Sequence, residues 1–193
     1  PSKTQQMPEE AVPENWPVNS SRKFYSGHFD WSPLQSSNAE MADAKVVSWA
    51  AQQLAKRHDH PVFLSVGIYR PHVPWYVPQK YFDRFPLDEI QLPRHLPDDL
   101  DDLPAAGQAM AKRHWHKWIT ENGQWNKAVQ GYLASLSFAD DMVGELLDAL
   151  DNGPMAGDML IVFWGDHGYH LGEKENWEKF ALWEDTTHVP LII

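Results

Sequence analysis

The sequence predicts an α/β fold with a mostly parallel central sheet flanked by helices, and three observations carry that prediction. Two apolar runs of strand length, residues 62–69 and 159–164, lack the polar alternation of a half-exposed strand, as expected where helices cover both faces. A stretch with helical apolar spacing precedes each run, so helix and strand alternate along the chain. Each run ends in a polar, turn-forming cluster, and in open α/β sheets the ligand crevice lies beyond the carboxyl ends of the strands.

Taken in order, residues 1–35 are rich in Pro, Ser and charge, show little periodicity, and read as an extended arm. Ser37 and Glu40 form a capping-box pattern, and Met41, Ala44, Val47, Ala50 and Leu54 follow at helical spacing, predicting an amphipathic helix that ends near His58. Asp59, His60 and Pro61 break it before the first strand. Residues 70–104 are crowded with proline and aromatics and read as a surface excursion of the functional or mobile kind. A second helix is expected over about 126–150, with Val129, Leu133, Leu136, Val143, Leu147 and Leu150 as its apolar stripe and Gly153-Pro154 as its stop. After the second strand, Gly165, Asp166, His167 and Gly168 form a turn. Residues 188–193 read as a strand entering a core. The expectation is therefore a piece of a larger domain, truncated at both ends: the arm over 1–35, then the later part of a catalytic domain over 36–193.

A chain of 193 residues with 42% apolar and 22% charged content can bury one sizeable core. No apolar run approaches the roughly 20 residues of a membrane helix, so no membrane insertion is expected. A net charge of −11 argues against nucleic acid as a partner, because counterion replacement needs clustered cations. Without cysteine there are no disulfides, thiolate metal sites or cysteine nucleophile in these residues, and the redox compartment stays open. Ten tryptophans suit carbohydrate stacking as well as packing; packing is the commoner use.

The polar clusters hold the candidate chemistry. Asp166 and His167 can approach one cation together only through a sharp turn, which Gly165 and Gly168 permit. The competing reading makes Asp166 a helix cap and His167 a surface turn residue. Lys179, in Trp177-Glu178-Lys179-Phe180, can neutralise an anionic ester as a point charge, or simply be solvated. His72, between Pro71 and Pro74, has a constrained backbone and can donate to an anion or leaving oxygen, or serve as a structural turn histidine. Asp98, Asp99, Asp101 and Asp102 follow no buried strand and read as a solvated acidic loop.

Together these motifs resemble the sulfatase family, of the alkaline-phosphatase-like sandwich fold, and within it the iduronate-2-sulfatase type. The resemblance rests on G-D-H-G-x-x-L-G-E from Gly165, W-x-K from Trp177 and T-H-V-P-L-I from Thr187, with G-x-x-x-P-H-x-P from Gly67 and the Ser135 to Asp140 helix upstream in the same order. It runs from about Phe29 to Ile193. It implies that Asp166 and His167 complete a divalent metal site, usually Ca2+, and that Lys179 and His72 contact the sulfate, with Arg70 adding charge near His72. Asp140 falls on a recurrent position read as structural. The resemblance further implies a formylglycine made from a Cys or Ser in a C/S-x-P-x-R motif. That motif, the paired aspartates that give the other ligands and the basic pair beside the aldehyde are absent from these residues, so this chain by itself is expected to be inactive.

The implied activity is sulfate-ester hydrolysis, on a sulfated sugar or other sulfated small molecule or glycan, in a periplasmic or secreted setting. A metal-dependent phosphodiesterase of the same superfamily is the first alternative, since His167 offers nitrogen where calcium prefers oxygen. A non-catalytic module that binds sulfated glycans is the second.

Overall fold

The fold is that of a computed structural model describing residues 29–111 and 113–193. The expected arm lies outside the described residues as far as residue 28. The chain forms two compact units, Pro1–Ile90 with Gln130–Met159 and Gln91–Val129 with Leu160–Ile193.

In the first unit, β1 (Trp31–Leu34) pairs in parallel with β2 (Trp75–Pro78), Trp31 opposite Trp75 and Leu34 opposite Pro78. The last residues of the expected arm are therefore core: Phe29, Asp30, Trp31 and Leu34 are all buried. Aromatic packing explains this. Phe29 meets Trp31 and Trp75 edge-on with centroids 5.7 Å apart, and Trp75 meets Tyr132 at the same distance.

A 3-10 turn, Asn38–Glu40, leads into α1 (Ala42–Leu54). The predicted capping box is present, Glu40 Oε2 accepting from the Ser37 N–H at 2.7 Å and from its hydroxyl at 2.8 Å, which holds the Glu40 carboxyl below its ordinary pKa. All five predicted apolar positions of this helix are buried. With Leu34, Val77, Tyr81, Phe82, Phe138 and Met142, three of them build the main core.

The proline-rich stretch is more ordered than its composition suggests. All four residues of β2 are buried, and α2 (Gln79–Phe82) directly follows, burying Tyr81 and Phe82. Pro78 ends its strand and Pro33 sits in a two-stranded ladder, so each lacks only an N–H that an outer edge does not need.

The expected buried strand over residues 62–69 is a correction. The segment forms no regular element, pairs with no strand among the described residues and alternates in exposure, with Phe63 95% exposed and Ile68 packed on the core. It reads as covered on both faces because its outward residues, Phe63, Ser65 and Gly67, carry no charge.

α3 (Ala105–Met110) and α4 (Arg113–Glu121) belong to the second unit, and the unit boundary falls inside α5 (Trp125–Asp151). On α5 the buried face runs through Gly131, Ala134, Ser135, Phe138 and Met142, whereas Leu136 and Leu147 are exposed. Small residues line it because the strands approach closely: a Cβ on Gly131 would lie 2.6 Å from Trp31 Cβ.

In the second unit β3 (Phe163–Trp164) pairs antiparallel with β6 (Leu191–Ile192), and β4 (His170–Leu171) with β5 (Trp177–Glu178). A single turn, α6 (Glu184–Thr187), precedes β6. The second expected buried strand is also corrected: only Phe163 and Trp164 enter a ladder, and residues 160–164 are exposed. The core of this unit is Leu100, Trp115, Ile119, His170 and Trp177. Trp115 and Ile119 lie one turn apart on α4, a pair unread in the sequence among its charged and histidine neighbours. No helix among the described residues is long and apolar enough to cross a membrane.

Candidate active site

The Gly165 to Gly168 turn leaves β3 and is anchored at both ends. Gly165 N–H donates to Pro190 O at 3.1 Å and Gly168 N–H to Thr186 O at 2.9 Å. Gly168 is required by closeness rather than by backbone freedom, since a Cβ there would lie 1.9 Å from Asp185 O. The motif glycines thus clip the turn to the residues just before β6.

That clip presents His167. Its Nδ1 lies 2.8 Å from Gly168 O, an acceptor, so Nδ1 carries the proton and Nε2 the lone pair. Lys179 Nζ donates to that lone pair at 2.7 Å, and Asp166 Oδ2 lies 3.6 Å from the same nitrogen. The Asp166 side chain is 84% exposed and that of His167 27%. Three of the five candidate residues are therefore brought together on one edge of the second unit: a carboxylate, an imidazole lone pair and an ammonium.

Lys179 reaches His167 from an unusual backbone. Gly172, Lys174, Glu175 and Glu178 all have positive φ, three of them without being glycine. Lys174 Nζ donates to the backbone O of Asp99 at 3.0 Å and to its Oδ1 at 2.6 Å, with both side chains largely covered. Asp99 is thus a partner within the supposed solvated acidic loop, while Asp98, Asp101 and Asp102 are exposed as expected. Trp177, fully buried, donates from Nε1 to His116 Nδ1 at 3.4 Å, and Glu173 accepts the Leu171 N–H at 2.6 Å. Burial raises the pKa of Glu173 and lowers those of His116 and His170.

His72 and Arg70 belong to the first unit. His72 stacks on Tyr69, centroids 4.6 Å apart, with Nδ1 2.7 Å from Val73 O and 3.0 Å from the Tyr69 hydroxyl. Arg70 is 3% exposed, its guanidinium donating to Tyr76 O at 3.3 Å. It is built into the loop. Buried Asp43 on α1 accepts the Tyr69 N–H at 2.9 Å and the Arg70 N–H at 3.2 Å, anchoring the loop that carries His72. Sequence reasoning missed Asp43. A lone acid on the apolar side of a helix, one position before Ala44, was the available signal. Asp140 is exposed on α5.

As a metal site, the Asp166 carboxylate lies 3.6 Å from His167 Nε2, whose lone pair accepts from Lys179 in this structure, so the two would form one edge of a ligand set once Lys179 releases that nitrogen. No group of three or more His, Asp or Glu that could hold a metal occurs among the described residues.

This fold is shared with solved structures of known proteins. The Silicibacter pomeroyi phosphonate monoester hydrolase structure overlays it with a TM-score of 0.69 at 19% identity, over 95% of this chain and 38% of that one. A family model, Sulfatase, matches residues 4–193. A sulfatase of Formosa agariphila is 44% identical, covering 84% of this chain and 33% of its own length, and human iduronate 2-sulfatase is 36% identical over 68% and 26%. The chain belongs to the sulfatase family, whose members generally use a metal and a formylglycine. It spans a third or less of the length of these relatives.

Proposed function

We propose that the protein carrying this chain hydrolyses sulfate esters, with Lys179 and His72 contacting the sulfate and Asp166 and His167 supplying two ligands to a divalent cation. The observation that carries the reading is the Lys179–His167 contact of 2.7 Å beside the exposed Asp166 carboxylate. It supports the reading because a fixed cation beside the two proposed metal ligands is the pairing that a dianionic product calls for.

Calcium is the proposed metal, with the formylglycine and the remaining ligands contributed by sequence outside these residues. When bound, the cation supplies Lewis-acid neutralisation of charge on the transferring group. Lys179 donates N–H bonds to a sulfuryl oxygen as a point charge. His167 holds its tautomer through Gly168 O, so Nε2, which accepts from Lys179 in this structure, is the atom that would ligate the cation once the Lys179 ammonium turns to the sulfate. His72, with Nδ1 held by Val73 O, has Nε2 as its basic nitrogen and donates from it to the leaving oxygen once protonated. Arg70 supports this loop from its buried position.

The proposed substrate is a sulfated sugar or glycan, and the proposed setting periplasmic or secreted. The names of relatives support the sugar: iduronate 2-sulfatase is among them, although a choline-sulfatase of Rhizobium meliloti, 31% identical, is too. The test is the full-length protein assayed on an aryl sulfate and on the matching aryl phosphodiester, after chelation and re-addition of Ca2+, Zn2+ or Mn2+. Sulfate hydrolysis restored by Ca2+, and lowered about 10²-fold in kcat/KM by Lys179→Ala, is expected. Full activity in that variant removes Lys179 from the sulfate. A zinc-dependent preference for the phosphodiester replaces the reading with phosphodiester hydrolysis.

A further inference from the structure

Residues 172–179 combine features that rarely coincide without cause. Three non-glycine residues, Lys174, Glu175 and Glu178, take φ of 53°, 49° and 67°, and Gly172 takes 123°. Side chains of this kind visit that region reluctantly, and such a conformation persists only where its surroundings over-determine it. Here the surroundings can be named. The Lys174 ammonium is held by both oxygens of Asp99 that face it, and Trp177 is buried against His116. Gly172 N–H donates to Asn176 O at 3.0 Å, and Asn176 N–H donates to Glu173 O at 2.9 Å. Glu178, the last residue held in this conformation, is bonded directly to Lys179, whose ammonium lands on His167 Nε2.

We propose that the Lys174–Asp99 pair, together with the positive-φ positions Lys174, Glu175 and Glu178, forms a positioning element for Lys179, setting the direction from which its ammonium meets a bound sulfate. Lys174 and Asp99 are positioning residues: they reach the reacting atoms only through the backbone of residues 175–179. The inference rests on the sulfate-binding role of Lys179 proposed above. Two features distinguish it from ordinary fold support. Lys174 sits five residues before Lys179, at the first non-glycine position of positive φ in the loop. Its charge-assisted bond to Asp99 is made from the residue that itself takes φ of 53°.

The experiment uses the full-length protein and inorganic sulfate as probe, read as the inhibition constant for sulfate, with kcat and KM for an aryl sulfate measured alongside. Lys174→Met is expected to weaken sulfate binding about tenfold and to raise KM more than it lowers kcat, at a thermal midpoint near that of the parent protein. The exchanged pair, Lys174→Asp with Asp99→Lys, is expected to bring sulfate binding back to within about threefold. If Lys174→Met does not accumulate as folded protein, Asp99→Asn carries the same test, because it keeps the backbone acceptor and removes only the charge. Lys179→Ala is measured in the same series. Sulfate binding lost in Lys179→Ala but unchanged in Lys174→Met and Asp99→Asn overturns the positioning role and leaves the sulfate contact standing. Sulfate binding unchanged in Lys179→Ala overturns both.

Discussion

Asp43→Ala is the perturbation whose effect the structure defines most closely. The Asp43 carboxylate is 4% exposed and accepts two backbone N–H groups, Tyr69 at 2.9 Å and Arg70 at 3.2 Å. A hydrogen bond to a charged group contributes about 1.5–3 kcal/mol, and the longer bond belongs at the lower end of that range. Alanine at this helix position recovers about 0.5 kcal/mol of propensity, so the net loss comes to about 3 kcal/mol. That loss is local, because the two amides it strands open the His72 loop before the core. Native-state hydrogen exchange reads it directly: the Tyr69 and Arg70 amides should exchange about 10²-fold faster, since each tenfold corresponds to about 1.4 kcal/mol. Asp43→Asn, which keeps one acceptor oxygen, should fall between the two. Unchanged exchange at both amides together with a general loss of stability would place the role of Asp43 within α1 and refute the anchoring argument.

Gly168→Ala should cost about 1–3 kcal/mol and separate the Gly165 to Gly168 turn from the Asp185 carbonyl, seen as loss of protection of the Gly168 amide, because the added Cβ meets backbone that cannot swing away. Acid should destabilise the second unit through His116. Burial, with neighbouring His95 adding to it, lowers its pKa below the ordinary 6.5, so the unfolded chain takes up the proton first. Its contribution is full above about pH 6.5 and falls away as pH drops toward the folded value. Denaturation midpoints across that range should flatten in His116→Gln, and a slope of opposite sign would contradict the assignment. Tyr81→Phe should cost about 1–2 kcal/mol by urea unfolding, since the hydroxyl donates to Asp141 Oδ2 at 2.8 Å and accepts from Asn38 Nδ2 at 2.6 Å.

The helices were the readable part of the fold. α1 has a capping box and five evenly spaced apolar residues, and the structure returns both. α5 was legible in extent but not in facing, because Gly131, Ala134 and Ser135 carry little hydrophobic signal yet sit where the strands press closest. β2 was hidden by its prolines, and β1 by a stretch whose few aromatics looked incidental until Trp31 met Trp75. In the candidate site, Asp166, His167 and Lys179 were legible as residue types with a motif, and two of them are in hydrogen-bond contact. Asp43 and the Lys174–Asp99 pair were not. Their roles depend on partners 26 and 75 positions away in the chain, and no local pattern records such distances.

The segment over residues 62–69 bears on the solubility of the chain. It is a run of β-formers without charge, one side of it open to solvent, which is the composition that pairs readily with a copy of itself. Its ends are guarded. Asp59 and Pro61 precede it, Arg70 and Pro71 follow it, and charge with proline on both flanks is how natural chains keep a sticky strand from templating aggregation while it waits to be covered. Replacing Asp59 and Pro61 with neutral strand formers would lengthen the segment at its exposed end, and solubility would fall before the folded structure changed.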